Sequence, residues 1–194
     1  MQDLNKEAEE LLKKLISIKS FSFEEDKTAD YIENWFKENG IKISRSVNNV
    51  FAYNKNFEKS KPTLLLNSHH DTVEPNEGYT NDPYEPITKD GKLYGLGSND
   101  AGISLVCLIM VFIHFYERDD LNFNIIMLAS AEEERSGDNG IKSVIPLLPK
   151  VDLAIIGEPT KMDMAIAEKG LIVFDLIVKG ESSHAAHQND KNPI

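Results

Sequence analysis

Short apolar runs of strand length, alternating with segments of helical period, are what most narrow the folds open to this chain. Thr63-Leu64-Leu65-Leu66, Asn124-Ile125-Ile126-Met127-Leu128-Ala129 and Leu153-Ala154-Ile155-Ile156 are too short for helices and too continuously apolar for a half-exposed strand. That is the pattern of strands buried on both faces of a sheet. Such strands need helices to cover them, and the intervening segments supply helical spacing. The class expected is α/β, with a mostly parallel central sheet flanked by helices.

The rest of the chain fills in around that sheet. Leu4, Ala8, Leu11, Leu12, Leu15 and Ile18 recur at helical intervals and predict a helix over 4–18. Ser22 and Glu25 form the Ser-x-x-Glu pattern of a capping box. A second helix should follow, with Ala29, Ile32, Trp35 and Phe36 inward and Gly40 as its C-terminal stop. Ile41 and Ile43 alternate with polar residues, and Val50-Phe51-Ala52-Tyr53 is a further candidate strand. Asp90-Gly91 marks a hairpin turn. Helices are expected over 102–116 and 141–147, and a β-rich segment over 171–178.

Charge and cysteine content exclude several functions. The net charge of −11 disfavours binding to nucleic acid or to an anionic membrane surface and favours cations. The one cysteine, Cys107, rules out an internal disulfide and a thiolate zinc site, and its apolar surroundings predict a small buried hydrophobe. The amino terminus has no apolar signal segment, and no apolar run reaches the length of a membrane span. A soluble, cytoplasmic protein is expected. Gly95-Leu96-Gly97 with Gly102 lacks the spacing and the preceding strand of a dinucleotide loop. Neither a phosphate-binding loop nor a Gly-x-Ser-x-Gly elbow is present.

Four groups of ionisable residues fall at comparable places. His69-His70-Asp71, Glu132-Glu133-Glu134 and Glu158 each follow an apolar strand, and Asp100 precedes a helix. In an open parallel sheet the strand C-termini share the edge where ligands bind. Each group also has an ordinary reading alone: a surface turn, a solvated helix start, a helix cap, a loop residue. Together they bring like charges to one place, and crowded carboxylates need protons or a cation. One imidazole with several carboxylates suits a hard or borderline divalent ion, and a bridging carboxylate would suit a pair.

In order and surroundings these segments resemble the M20 metallopeptidase family. Ser68-His69-His70-Asp71-Thr72-Val73 resembles its S/G-H-x-D-x-V, and the run from Tyr94-Gly95 to Asp100-Ala101-Gly102 resembles its Y-G-x-G-x-x-D-x-K-G. Ser130-Ala131-Glu132-Glu133-Glu134 resembles T-A-D-E-E, and Gly157-Glu158-Pro159-Thr160 matches G-E-P-[ST]. The resemblance implies two divalent ions, zinc first and cobalt as the alternative. His69 and Glu158 would hold one, Glu134 the other, with Asp100 between. Asp71 would orient the His69 ring and Glu133 would act as general base. A slip of one residue in the Glu triplet would instead make Glu132 the base and Glu133 the ligand; the first register aligns better. The resemblance also implies a cis peptide at Asp100–Ala101.

Implied too is hydrolysis of the amide bond of a small N-acyl amino acid, with an acetylornithine deacetylase-like enzyme of arginine biosynthesis preferred. A succinyl-diaminopimelate desuccinylase or a dipeptidase or carboxypeptidase is the alternative, and a non-catalytic metal-binding or assembly module is the rival of another class. Family members are longer and carry a lid domain, through which they dimerise, and a final His ligand. Residues 1–168 are therefore expected to be the metal-binding catalytic part and 169–194 the start of the lid. His184, in Gly180-Glu181-Ser182-Ser183-His184-Ala185, would reach substrate. His114 and His187 match no ligand position, so hydrolysis by this chain alone should be weak or absent. Ala101-Gly102 stands where the family usually has a Lys.

Overall fold

In a computed structural model the chain divides into two units, Met1–Lys161 and Met162–Ile194. The structure describes residues 4–167, 169, 170, 172, 174, 176–181 and 184. The β-rich segment expected over 171–178 and the loop residue His187 lie partly or wholly outside the described residues.

The first unit is built on a five-stranded sheet of β1 (Ile43–Ser46), β2 (Asn49–Tyr53), β3 (Thr63–His69), β6 (Asn124–Ser130) and β7 (Leu153–Ile156), in the order β1-β2-β6-β3-β7. β3 pairs parallel with β6 and β7, while β2 pairs antiparallel with β6 and β1. Four of these strands thus point one way and β2 alone the other. A small hairpin, β4 (Ile87–Lys89) and β5 (Lys92–Tyr94), turns through Asp90 and Gly91, both at positive φ. This is the paired conformation that favours Asp-Gly.

The period-two pattern of the strands sorts their side chains onto two layers. Val50, Ala52, Leu66, Ile125, Met127 and Ala129 face α1 (Leu4–Ile16), α2 (Asp26–Glu38) and α3 (Ile103–Tyr116). Phe51, Leu65, Ile126 and Leu128 face Val144 of the short helix α4 (Ile141–Val144) on the other side. α2 ends as its sequence predicts. The N–H of Gly40, at φ 72°, donates to Lys37 O and that of Ile41 to Phe36 O. These are the two bonds of a Schellman stop, sealed by buried Phe36 and Ile41.

Three expectations need correction. α2 begins at Asp26, and Ser22 and Glu25 make no capping box; both side chains point across the molecule instead. β7 forms where expected but is exposed along its length, with Leu153 64% and Ile156 51% accessible. It is an edge strand, paired only with β3 among the described residues. Cys107 is exposed rather than buried, on the outward side of α3 with Ile103 and Val111.

The helical run Ser98–Tyr116 is long and apolar enough, by length and composition, to cross a membrane. It is broken at Asp100 and Ala101, whose backbone is not helical. The regular part, α3, is about 21 Å long at 1.5 Å per residue, short of a hydrocarbon core of roughly 30 Å. Its Leu105, Val106, Ile109 and Phe112 are fully buried against the sheet and its helices. Those are the properties of a core helix.

Candidate metal centre

His69 ends β3, the Glu triplet follows β6 and Glu158 follows β7, so three parallel strands deliver them to one edge. Asp100 reaches the same place from the kinked turn before α3, where the Asp100–Ala101 peptide is cis. Ser68 ties these loops together by donating to Gly157 O at 2.8 Å. β3 runs three residues past its apolar stretch because Asn67 finds polar partners inside, donating to Leu128 O and Ser130 Oγ.

Ligand atoms of His69, Asp100 and Glu134 all lie within 4.8 Å of one another. His69 Nε2 is 3.2 Å from Asp100 Oδ1 and 3.9 Å from both Glu133 Oε2 and Glu158 Oε2. Its Nδ1–H donates to Asp71 O at 2.9 Å, leaving Nε2 to face the carboxylates. All five residues expected to line the ions or act on the water therefore meet around one imidazole. His184 belongs to the second unit and is exposed.

The donor set fits a divalent cation. Burial disfavours the charged form of Glu158 and, against the pull of His69 but with repulsion from Glu133, Asp100 and Glu134, pushes its pKa up to about 7. Burial and Asp100 likewise raise Glu134. Burial works against a charged His69, but the Asp71 hydrogen bond and charge, with Glu158 and Glu133, outweigh it and lift the ring to about 9. A cluster that captures protons so strongly is one that a metal ion would neutralise. Oxygen and nitrogen donors without sulfur match zinc and its neighbours.

Asp71 does more than attend the ring. Its side chain is buried, and its Oδ1 accepts the N–H of Glu133 while Oδ2 accepts that of Glu134 and the Ser22 hydroxyl. These bonds, with the one to His69, overcome burial and hold Asp71 below the usual carboxylate range. One carboxylate thus fixes both the imidazole and the backbone of the two site glutamates. Its closer contact to the ring is the backbone carbonyl, with Oδ1 at 3.3 Å.

Glu132 points away from the cluster. It is 4% accessible, and its carboxylate accepts from Asn139 N and Nδ2 at 3.0 and 3.1 Å. This geometry favours the register with Glu133 and Glu134 at the site. Its φ of 55° lies in the left-handed region that non-glycine residues rarely enter. His70 is no ligand: it is buried between Thr28 Oγ1 at 3.0 Å and Asn48 O at 2.9 Å, and burial lowers its pKa. Sequence reading missed Glu25 and Asn48. Glu25 is fully buried and its Oε1 accepts the N–H of Glu132 at 3.0 Å, while Oε2 accepts from Asn48 Nδ2. The Ser-x-x-Glu pattern was the signal, but its local reading as a helix cap hid the longer reach.

The sequence model described as peptidase family M20/M25/M40 matches residues 65–188. Curated relatives include the succinyl-diaminopimelate desuccinylase of Rickettsia bellii, 29% identical over 204 residues, covering 94% of this chain and 51% of the relative. The enzyme of the same name from Wolbachia pipientis is 29% identical over 203 residues, covering 95% and 50%. The chain spans about half the length of these relatives. Among solved structures, human carnosine dipeptidase 1 aligns with a TM-score of 0.61 at 18% identity, over 81% of this chain and 40% of that one. A dinuclear metal binding peptidase of the M20 family from Bacillus subtilis aligns with 0.61 at 20%, over 80% and 43%. The structural likenesses show a shared fold.

Proposed function

The chain belongs to peptidase family M20/M25/M40, and from that premise we propose that its protein hydrolyses the amide bond of a small N-acyl amino acid with divalent metal ions. The observation that carries this reading is the meeting of His69, Asp100 and Glu134 within 4.8 Å, with Glu133 and Glu158 beside the same imidazole. His69 and Glu158 would hold one ion and Glu134 the other, with Asp100 between them. When bound, the ions supply Lewis-acid activation of water and of the amide carbonyl. Zinc is proposed first and cobalt second.

Glu133 is proposed as the general base. Its side chain is 52% exposed and projects beside His69. It would take a proton from the attacking water and return it to the departing nitrogen. Asp71 holds the Glu133 backbone and the ring in register, so the base and the ligands move as one piece. On its motif alone, His184 is proposed to contact the substrate.

Between acyl groups, the desuccinylase reading now leads. The motif resemblance prefers an acetylornithine deacetylase of arginine biosynthesis, but the matched relatives carry the name succinyl-diaminopimelate desuccinylase. We accordingly propose an N-succinyl amino acid before an N-acetyl one. Dimerisation through the residues after 168, no membrane partner and a cytoplasmic location go with this reading.

The test has two steps. Zinc or cobalt titration should show binding of which His69→Ala removes one ion. N-succinyl, N-acetyl and dipeptide substrates should then be compared on the whole protein, with and without metal, alongside Glu133→Gln. Metal-dependent cleavage that Glu133→Gln lowers by about 10²–10⁴-fold is expected. Metal bound but no difference on Glu133→Gln would remove Glu133 as base. A metal stoichiometry and affinity that His69→Ala leaves unchanged would refute the metal centre.

A further inference from the structure

We propose that Glu25 is a positioning residue for the metal centre, a buried anionic clamp that sets the backbone from which Glu133 and Glu134 project. This inference rests on the metal-centre reading above. Glu25 has no accessible surface, yet no cation pairs with it among the described residues. Its carboxylate is instead met by polar hydrogens from three parts of the chain. Oε1 accepts the N–H of Phe23 at 2.9 Å and of Glu132 at 3.0 Å; Oε2 accepts Asn48 Nδ2 at 3.1 Å. A carboxylate buried in this way is held where its acceptors are needed.

The third of those bonds joins a longer chain. Asn48 Oδ1 accepts from Arg45 Nη2 at 3.1 Å, and the Asn48 carbonyl accepts His70 Nε2 at 2.9 Å. Asn49 Oδ1 accepts the N–H of Ala131 at 3.1 Å. Glu132 is thus gripped from every side: N–H by Glu25, carbonyl by Gly137 N at 2.9 Å, carboxylate by Asn139. This grip sustains its left-handed backbone, and that turn directs the next two residues back toward Asp71 and His69. Ser22 and Glu25, three residues apart, therefore clasp the two halves of one loop, Ser22 through Asp71 and Glu25 directly.

The polarity of the Asn48 contact gives a decisive test. In Glu25→Gln, Oε1 must remain the acceptor for two N–H groups, so the new amide nitrogen faces Asn48 Nδ2, donor against donor. Adding Asn48→Asp restores the match, since the new carboxylate accepts from that amide and from Arg45. Three proteins are compared: the unaltered chain, E25Q and E25Q/N48D. Cobalt affinity and the visible spectrum of the bound ion report on the site. Amide hydrogen exchange at Glu132, measured without metal, reports on the clamp.

E25Q should lose about 10–100-fold in cobalt affinity, the usual effect of removing a group that orients ligands, and Glu132 exchange should quicken. E25Q/N48D should recover both, along with the spectrum. Unchanged affinity and exchange in E25Q would overturn the proposal, as would an E25Q/N48D protein that folds but stays weak. Should E25Q not fold, the double variant decides alone: folding with recovered cobalt binding supports the clamp, and anything less overturns it. If the unaltered chain binds no cobalt, the metal reading fails and the positioning role falls with it. The exchange data would then still show whether Glu25 holds the loop.

Discussion

Loading the site with metal should expel protons in a number fixed by the geometry around His69. Coordination requires a deprotonated imidazole and deprotonated carboxylates. In the metal-free chain Asp71, Glu158 and Glu133 hold the His69 ring to a pKa of about 9 against the pull of burial, so at pH 7 it is essentially fully protonated. Burial and its neighbours place Glu158 at about 7, so half of it carries a proton. Binding at pH 7 should therefore release between about one and two protons, more at pH 6 and fewer at pH 8. Glu134, also raised, can only add to these numbers. Calorimetric zinc or cobalt titrations in buffers of different ionisation enthalpy measure the count directly, as the slope of observed enthalpy against buffer enthalpy. Glu158→Gln should lower the value at pH 7 to about 1.0. A slope near zero at pH 7 would refute the reasoning, for His69 and Glu158 would then be either free of protons beforehand or not ligands at all.

The same protons govern the metal-free fold. His69 and Glu158 both bind protons more tightly when folded than when unfolded. Their contribution is complete below the unfolded values and is lost as pH climbs through the folded ones, from 4.5 to about 7 for Glu158 and from 6.5 to about 9 for His69. Buried His70, whose pKa is lowered, opposes this below its unfolded value of 6.5, so thermal melts with chelator present should show the midpoint dropping from pH 7 to pH 9; a rise over that range would contradict the assignment. Gly137→Ala should be destabilising because a Cβ there would lie 2.0 Å from Glu132 Oε2, an oxygen that Asn139 holds in place. A loss of about 1–3 kcal/mol is expected in urea unfolding, and an unchanged midpoint would mean that the 132–139 turn is looser than its hydrogen bonds imply.

Strand positions were readable in this chain because residue type and period carry them. β3, β6 and β7 fall where branched apolar runs occur, while Gly40 marks the end of α2 and Asp90-Gly91 the β4–β5 turn through backbone conformations few other residues take. Burial was less readable, because it depends on neighbours that residue type does not specify. Leu153, Ile155 and Ile156 have the composition of a central strand, yet they sit on an edge among the described residues. Cys107 has apolar neighbours in sequence, but its helix turns it outward with Ile103 and Val111. The polar extension of β3 through Asn67 and Ser68 was invisible for a related reason. Only the facing Leu128 and Ser130, 61 and 63 residues away, make the Asn67 side chain acceptable inside, and the Gly157 carbonyl, 89 residues away, does so for Ser68.

The site divides along the same line. Its proposed ligands each have a local reading alone and announce themselves only together, because Asp100, Glu134 and Glu158 crowded beside His69 repel one another unless protons or a cation join them. The residues that aim them do have local explanations, and those explanations are wrong. Ser22 and Glu25 satisfy a helix-capping pattern, so nothing in the sequence asks for partners 49 and 107 residues away. Yet the capping bonds do not form. α2 starts at Asp26 without a side-chain cap, which leaves the hydroxyl and the carboxylate free to engage Asp71 and Glu132. Orphan N–H groups at the start of a helix can be met by water at the surface. The N–H of Glu132 is buried and those of Glu133 and Glu134 partly so, and leaving them unpaired there would cost more. Competition for a few strong acceptors is settled by where water cannot reach, and it places Ser22 and Glu25 beneath the metal centre rather than at the end of a helix.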